Sequence, residues 1–139
     1  AMAAAQPYFS YFGIQADYVV SSAHRNPEMT AELARTARDK GYSVIICAAG
    51  MAAHLAGVCA AHSILPVIGV PLAGGILDGI DALLSTVQMP KGVPVATFAV
   101  GKAGAVNSAV FCARILSLES NAIHRRLVDF RAAGCKLSG

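Results

Sequence analysis

Charged residues are scarce in this chain, and the middle of the sequence has none. Asp, Glu, Lys and Arg make up 14% of the 139 residues, apolar types make up 55%, and no charge occurs between Lys40 and Asp78. Glycines and prolines interrupt that stretch, so it contains no apolar run of roughly 18 residues, the length that a membrane-spanning helix needs. Its short apolar runs instead predict strands buried on both faces of a parallel sheet.

The sequence also lacks motifs for nucleic-acid binding, for metal binding and for secretion. The net charge is only +3 and no basic run alternates with aromatic residues, which argues against nucleic-acid binding. Cys47, Cys59, Cys112 and Cys135 show no CxxC or Cys/His ligand spacing, so we interpret them as small reduced core residues rather than disulfide or metal ligands; three of them lie in apolar runs. No charged n-region precedes an apolar h-region, so the expected compartment is the cytoplasm.

The length and composition predict one domain that associates with copies of itself. A chain of 139 residues suits a single core, and no repeat or linker divides it. The apolar fraction is high for a small monomer, so part of the surface is expected to be buried between copies. The stretch from Ile115 to Leu127, with Leu116, Leu118 and Ile123, is one expected contributor.

Helical and strand patterns alternate along the whole chain. The predicted helices cover residues 2–12, 27–40, 53–62, 79–87, 103–117 and 120–133, and the predicted strands cover 17–22, 44–48, 66–70 and 94–100. This alternation is typical of a doubly wound parallel sheet with right-handed crossovers.

The octapeptide from Ser21 to Glu28 is the most informative segment. Asn26 suits a helix N-cap and Pro27 the first helical position, so His24 and Arg25 are predicted at the carboxyl end of a strand, where open α/β sheets bind ligands. A guanidinium beside helix N–H groups favours an anion, and an imidazole there can transfer a proton near neutral pH. These residues alone are equally compatible with a surface His-Arg pair on a solvated loop.

Other loops are predicted at the same edge of the sheet. The small residues of Ala48–Leu55 would let backbone N–H groups approach a ligand, but the segment lacks the glycine pattern of a dinucleotide or triphosphate site. His54 could bind an anion or be a packing histidine. Lys102, in Gly101–Gly104, could line an anion site or belong to a helix-capping turn, and Pro71–Gly79 is predicted to be a flexible loop.

Five ordered segments together resemble a known family. They are Ser22–Glu28, Ala49–Leu55, Leu65–Pro71, Ser85–Val95 and Gly101–Asn107. They closely resemble the class I family of purine-biosynthesis proteins that convert N5-carboxyaminoimidazole ribonucleotide to 4-carboxy-5-aminoimidazole ribonucleotide. The resemblance runs from about residue 2 to about residue 133, and its Ala-Ala-His-Leu and Gln-Met-Pro segments look like the bacterial mutase branch.

The resemblance implies a flavodoxin-like, three-layer αβα fold with a C-terminal helix, assembled as an octamer without metal or organic cofactor. It implies that the substrate carbamate collapses to carbon dioxide in a closed pocket and that His24 shuttles the proton. Ser22, Ala23 and Arg25 are expected to bind the ribonucleotide, with Ser22 and Arg25 at its phosphate. The expected contacts to the carboxylate and base are Ala49, Gly50, His54 and Leu55.

One departure from the family pattern leaves alternatives open. The family normally opens with a central strand and a Gly-Ser-x-Ser-Asp phosphate loop, whereas residues 1–12 match the helix that follows it. Residues 1–139 are therefore expected to be an N-terminally incomplete catalytic domain, or a shortened form of one. The alternative functions are a carboxylase that uses free carbon dioxide and a truncated, non-catalytic subunit.

Overall fold

The computed structural model describes residues 1–137, which form one parallel sheet covered by helices on both faces. After a 3₁₀ turn at Met2–Ala5, the helices are α1 (Gln6–Phe12), α2 (Pro27–Thr36), α3 (Leu55–His62), α4 (Ile80–Val87), α5 (Lys102–Leu116) and α6 (Asn121–Ala132). The strands are β1 (Ile45–Gly50), β2 (Val67–Leu72) and β3 (Ala96–Thr97).

The sheet has the order β1-β2-β3, and all of its pairs are parallel. Residues of β1 pair in register with β2, from Ile45 opposite Val67 to Gly50 opposite Leu72. Helix α3 connects β1 to β2 and helix α4 connects β2 to β3, as parallel pairing requires. The carboxyl ends of β1 and β2 therefore lie at the same edge of the sheet.

Side chains of β1 alternate between two apolar clusters, one on each face. Ile46 and Ala48 point to the face covered by α1 and α5, where Phe9, Ala105 and Ala109 are buried. Ile45 and Cys47 point to the face covered by α2 and α3, where the partners include Ala34, Ala56 and Cys59. This arrangement confirms the predicted parallel α/β sheet with helices on both faces.

The interpretation of the four cysteines as small core residues is confirmed for three of them and is wrong for Cys135, which lies beyond the end of α6. Cys47, Cys59 and Cys112 are buried, whereas Cys135 is exposed. Burial raises the pKa of the Cys112 thiol to about 11, so this side chain stays protonated at neutral pH.

The predicted strand 17–22 is wrong as a regular element. Residues 14–22 form neither helix nor strand, and Tyr18, Val19 and Val20 are 54%, 63% and 97% exposed. The β-branched residues do favour an extended backbone locally. A strand also needs a hydrogen-bonded neighbour, however, and the local pattern does not show whether one is present. Within residues 1–137, no backbone hydrogen bond joins residues 15–21 to β1.

A cavity of about 460 Å³ lies between residues 14–21 and β1. Its walls are mainly apolar and include Ile14, Val44, Ile46 and Leu72. At one end, the Tyr42 hydroxyl donates a 2.5 Å hydrogen bond to Oδ2 of Asp17, which raises the pKa of Tyr42.

Two other predicted elements are shorter than their patterns indicated. The strand predicted over residues 94–100 is confined to Ala96–Thr97, because Pro94 precedes it and the backbone at Gly101 turns to a φ of 75°. The helix predicted over 27–40 ends at Thr36 and gives way to turns before Gly41.

The segment Ile115–Leu127 is not one continuous helix. Helix α5 ends at Leu116 and α6 begins at Asn121, where the Ser120 hydroxyl accepts a hydrogen bond from the Ile123 N–H. Ile123 and Leu127 pack inside the protomer with Phe12 and Phe130, so they do not provide the outward apolar face that was predicted. Only Leu118, between the two helices, is widely exposed, at 84%.

The described residues 1–137 contain no helix that is both long enough and apolar enough to span a membrane.

Gly104 permits the close approach of α5 to the sheet. A Cβ atom at this position would collide with the carbonyl oxygen of Ala99, which belongs to the backbone and cannot rotate away. Gly57 in α3 differs, because a Cβ there would meet only the flexible tip of Met89, with its sulfur at 3.2 Å.

We expect Gly104→Ala to destabilise the protein by about 1–3 kcal/mol, the usual cost of overpacking. Gly57→Ala is the matched control, because the gain in helix propensity, up to ~1 kcal/mol, offsets a small shift of Met89. Urea unfolding at one fixed protein concentration measures both. Equal midpoints for the two variants would contradict the close packing at Gly104.

Candidate active site

The first part of the site is the turn that precedes α2. Asn26 is the N-cap and Pro27 lies at the helix start, as the sequence predicts, although the Asn26 side chain makes no capping hydrogen bond. The backbone closes locally instead: the Asn26 N–H donates to the Ser22 carbonyl at 2.8 Å, and the Arg25 N–H donates to Ser22 Oγ at 3.3 Å. The turn thus holds Ser22, Ala23, His24 and Arg25 together beside the positive end of the α2 dipole.

Arg25 is exposed at this turn. In the part of the chain that the structure describes, its guanidinium makes no ion pair or hydrogen bond. Its five N–H donors are therefore free to bind an anion, and a phosphate matches the fork of the guanidinium.

The second part of the site follows β1. Ala49 and Gly50 are the last residues of the strand, His54 is the N-cap of α3, and Leu55 is its first residue. Gly50 lies close to the neighbouring strand, because a Cβ there would be 3.3 Å from the Leu72 carbonyl oxygen. The sequence correctly predicted that this loop lies at the carboxyl edge of the sheet.

The tertiary structure brings His24 and His54 into direct contact. Nε2 of His24 lies 2.8 Å from Nδ1 of His54, and the ring centroids are 4.7 Å apart at an interplanar angle of 73°. The two residues are 30 positions apart in the chain, and both are exposed at the surface. Sequence reasoning named both histidines but missed their contact, for which the sequence carries no local signal.

This contact limits how the two imidazoles can hold protons. One of the facing nitrogens must carry the hydrogen and the other must present its lone pair. Protonating both facing nitrogens would break the hydrogen bond, so the intact pair shares one hydrogen between these two nitrogens. Such a pair can take up a proton and return it without any other side chain.

A third part of the site was missed at the sequence level, where Pro71–Gly79 was interpreted only as a flexible loop. Asp81 Oδ1 accepts hydrogen bonds from the N–H groups of Gly79 at 3.2 Å and Ala82 at 3.0 Å, which holds the loop against α4. Gly75 lies directly against the Asp81 carboxylate, where a Cβ would not fit. The paired glycines Gly74-Gly75 were the available signal for this close approach.

This third part borders a cavity of about 610 Å³ at the carboxyl edge of the sheet. Its lining residues are Met51, Ala52, Gly74, Gly75, Ile76, Asp81 and Ser85. A cavity of this size suits a small-molecule ligand. Residues that follow β1 and residues that follow β2 both line it, as expected where two parallel strands end at the same edge.

The segment Gly101–Gly104 acts as a helix-capping and packing turn. The Gly101 N–H donates to the Pro71 carbonyl at 2.8 Å, and Lys102 is exposed at the first position of α5. No potential metal site of three or more His, Cys, Asp or Glu side chains occurs in residues 1–137.

The sequence was compared with known proteins. The AIR carboxylase family matches residues 1–136. N5-carboxyaminoimidazole ribonucleotide mutase from Pseudomonas aeruginosa is 52% identical over 120 residues, which are 86% of this chain and 74% of the relative. The Bacillus subtilis protein of the same name is 54% identical over 112 residues, 81% of this chain and 69% of the relative.

The solved structure of PurE from Treponema denticola has a similar fold. Its TM-score is 0.82 at 21% sequence identity, and the match covers 96% of this chain and 82% of the other. This agreement over nearly the whole chain confirms the predicted flavodoxin-like α/β fold. The chain belongs to the AIR carboxylase family.

Proposed function

We propose that this chain is a mutase of purine biosynthesis, an isomerase that interconverts N5-carboxyaminoimidazole ribonucleotide and 4-carboxy-5-aminoimidazole ribonucleotide. The contact between His24 and His54 is the observation that carries the chemistry. The substrate class follows from relatives that are about half identical over most of the chain and carry the mutase name. The free carbon dioxide alternative has no such support among these relatives.

The proposed reaction moves one carboxyl group within the substrate. The bond between the carbamate carbon and the exocyclic nitrogen breaks, carbon dioxide is released within the pocket, and the nitrogen gains a proton. Carbon 4 of the imidazole ring then attacks carbon dioxide and loses its proton. One proton is gained and one is lost, so a single shuttling imidazole balances the reaction without a cofactor.

In this proposal His24 is the proton shuttle and His54 positions it. The hydrogen bond between them holds the His24 ring and leaves its Nδ1 to face the substrate. His54 is the N-cap of α3, so its position relative to the sheet is set by that helix. Through the hydrogen bond, His54 then sets the position of the His24 ring. Exposure of the pair lets the substrate reach it from solvent.

The remaining site residues are proposed to bind the two ends of the nucleotide. Arg25 and Ser22, beside the start of α2, would hold the phosphate, and Ala23 would contact the ribonucleotide through the backbone of the same turn. Ala49, Gly50 and Leu55 would contact the base and its carboxylate. Gly50 suits this role because its missing side chain leaves the backbone open to a ligand.

We also propose a cytoplasmic homo-oligomer, an octamer by family resemblance. The outward face of α4 is apolar: Ile80, Leu84 and Val87 are 56%, 51% and 46% exposed at helical spacing. Ile76, in the loop before this helix, is 97% exposed. A second copy is the occupant proposed for this face, because exposed apolar surface of this extent is characteristic of association sites.

Replacing His24 by Asn is expected to leave folding intact and to abolish conversion, because Asn keeps a polar contact but cannot shuttle a proton at neutral pH. General acid–base groups contribute ~10²–10⁴-fold, so less than about a tenth of wild-type turnover should remain. His54→Asn should be milder, since His54 positions the shuttle. The assay follows formation of the carboxylated imidazole.

The control for both is His124→Asn, on the exposed surface of α6, which should retain wild-type turnover. If His54→Asn lowered turnover more than His24→Asn does, the roles of the two histidines would be reversed.

Arg25→Ala should weaken substrate binding through loss of the phosphate contact, by about 1.5–3 kcal/mol for a hydrogen bond to a charged group. The measurement compares the affinity of aminoimidazole ribonucleotide with that of its phosphate-free riboside. Arg125→Ala, on α6, is the control. If the variant lost equal affinity for both ligands, Arg25 would not bind the phosphate.

Light scattering at micromolar concentration should give a mass several times the 14.3 kDa of one chain. Leu84→Glu should reduce this mass, because it places a charge in the apolar α4 face. Leu84→Met is the control and should keep the wild-type mass. A wild-type protein that is monomeric would exclude the oligomer, and an unchanged mass for Leu84→Glu would exclude this face.

A further inference from the structure

The residue Met51 has a backbone conformation that L-amino acids rarely adopt. Its φ is +55°, in the left-handed region that glycine occupies without strain. It follows Gly50 directly and precedes His54 by three residues, so the strain lies in the loop that positions the histidine pair. Conformations of this kind persist only where the surrounding structure imposes them, and they concentrate at functional sites.

Helix α4, which also lines the 610 Å³ cavity, approaches the Met51 backbone through Ser85. The Ser85 hydroxyl lies 3.4 Å from the Met51 carbonyl oxygen and 2.8 Å from the Asp81 carbonyl oxygen. Since Asp81 also caps the loop after β2, Met51 is linked to both loops that border the cavity. The Met51 backbone thus lies next to α4 at the edge of this cavity.

The Met51 side chain does not belong to the buried core. It is 63% exposed, although methionine is apolar, and it lines the cavity at the carboxyl edge. Glycine would adopt the same backbone without strain, so what methionine adds at this position is its side chain. A methionine is long, unbranched and adaptable, which suits it to cover a surface of irregular shape.

We propose that the Met51 side chain folds over bound substrate, excludes water and retains the carbon dioxide released there. This inference rests on the proposed mutase function. Without this closure, carbon dioxide would leak from the site: the carbamate bond breaks, the nitrogen gains a proton, and carbon dioxide escapes before carbon 4 attacks it. The side products are then aminoimidazole ribonucleotide and carbon dioxide. Met51 is therefore a positioning and closing residue, distinct from the proton shuttle.

The test measures how each turnover of N5-carboxyaminoimidazole ribonucleotide divides between the carboxylated imidazole and free aminoimidazole ribonucleotide. Met51→Ala keeps the strained backbone but removes the side chain. We expect its leaked fraction, corrected for spontaneous decarboxylation, to rise about tenfold over wild type. This rise corresponds to a change of ~1.4 kcal/mol in the activation free energy of carbon dioxide escape relative to that of recarboxylation. Met51→Leu keeps an apolar side chain of similar size, so it should divide its turnovers between the two products as the wild type does.

Met51→Gly separates the side chain from the backbone. It removes the strain as well as the side chain, so it should leak like the alanine variant while its melting temperature rises. Cys135→Gly is the matched control, because Cys135 also has a positive φ, of 60°, but lies beyond α6 and does not line this cavity. It should gain stability without any change in the division of products.

The outcomes separate this inference from the function on which it rests. A wild-type protein that forms no carboxylated imidazole would overturn the proposed function and this inference with it. Active wild-type protein with an alanine variant that leaks no more would overturn the closing role alone. A leak in the alanine variant that glycine abolishes would also overturn it, because the backbone would then be responsible.

Discussion

The parallel pairing of β1 with β2 is the constraint on which the rest of the structure depends. Six consecutive residues of each strand pair in register, and Ile68 and Val70 of β2 are almost completely buried. A slip of one residue would turn the side chains of a strand to the opposite face. Because the pairing is parallel, the loop that leads to His54 and the loop that leads to Asp81 leave the sheet at the same edge.

Small residues let the helices approach this sheet closely. Among residues 1–137, alanines contribute ten of the twenty buried hydrophobic residues, and Gly69 of β2 lies so close to Thr86 of α4 that a Cβ would not fit. Many of the larger apolar side chains lie outside instead, among them Val20, Ile64 and Ile76, at 97%, 86% and 97% exposure. The high apolar content of the sequence therefore reflects the surface as well as the core.

The site is formed by turns that a rigid scaffold holds in place. His24 lies in the turn before α2 and His54 caps α3, and these two helices pack against each other on one face of the sheet. Their packing keeps the imidazoles within hydrogen-bond distance although neither belongs to a regular strand. Met51, with its positive φ, lies beside them in the loop after β1, and its carbonyl oxygen is 3.4 Å from the Ser85 hydroxyl of α4.

The sequence by itself determined the alternation of strands and helices, the start of α2 at Pro27, and the family to which the motifs belong. These features follow from local preferences or from the order of residues, so they can be recognised before any contact is known. Only the tertiary structure decided that residues 17–22 form no strand, that His24 contacts His54, and that the apolar face of α4 rather than Ile115–Leu127 remains exposed. Each of these depends on which distant residues become neighbours, because a strand needs a partner, an imidazole pair needs two converging turns, and a helix buries only the face that another element covers.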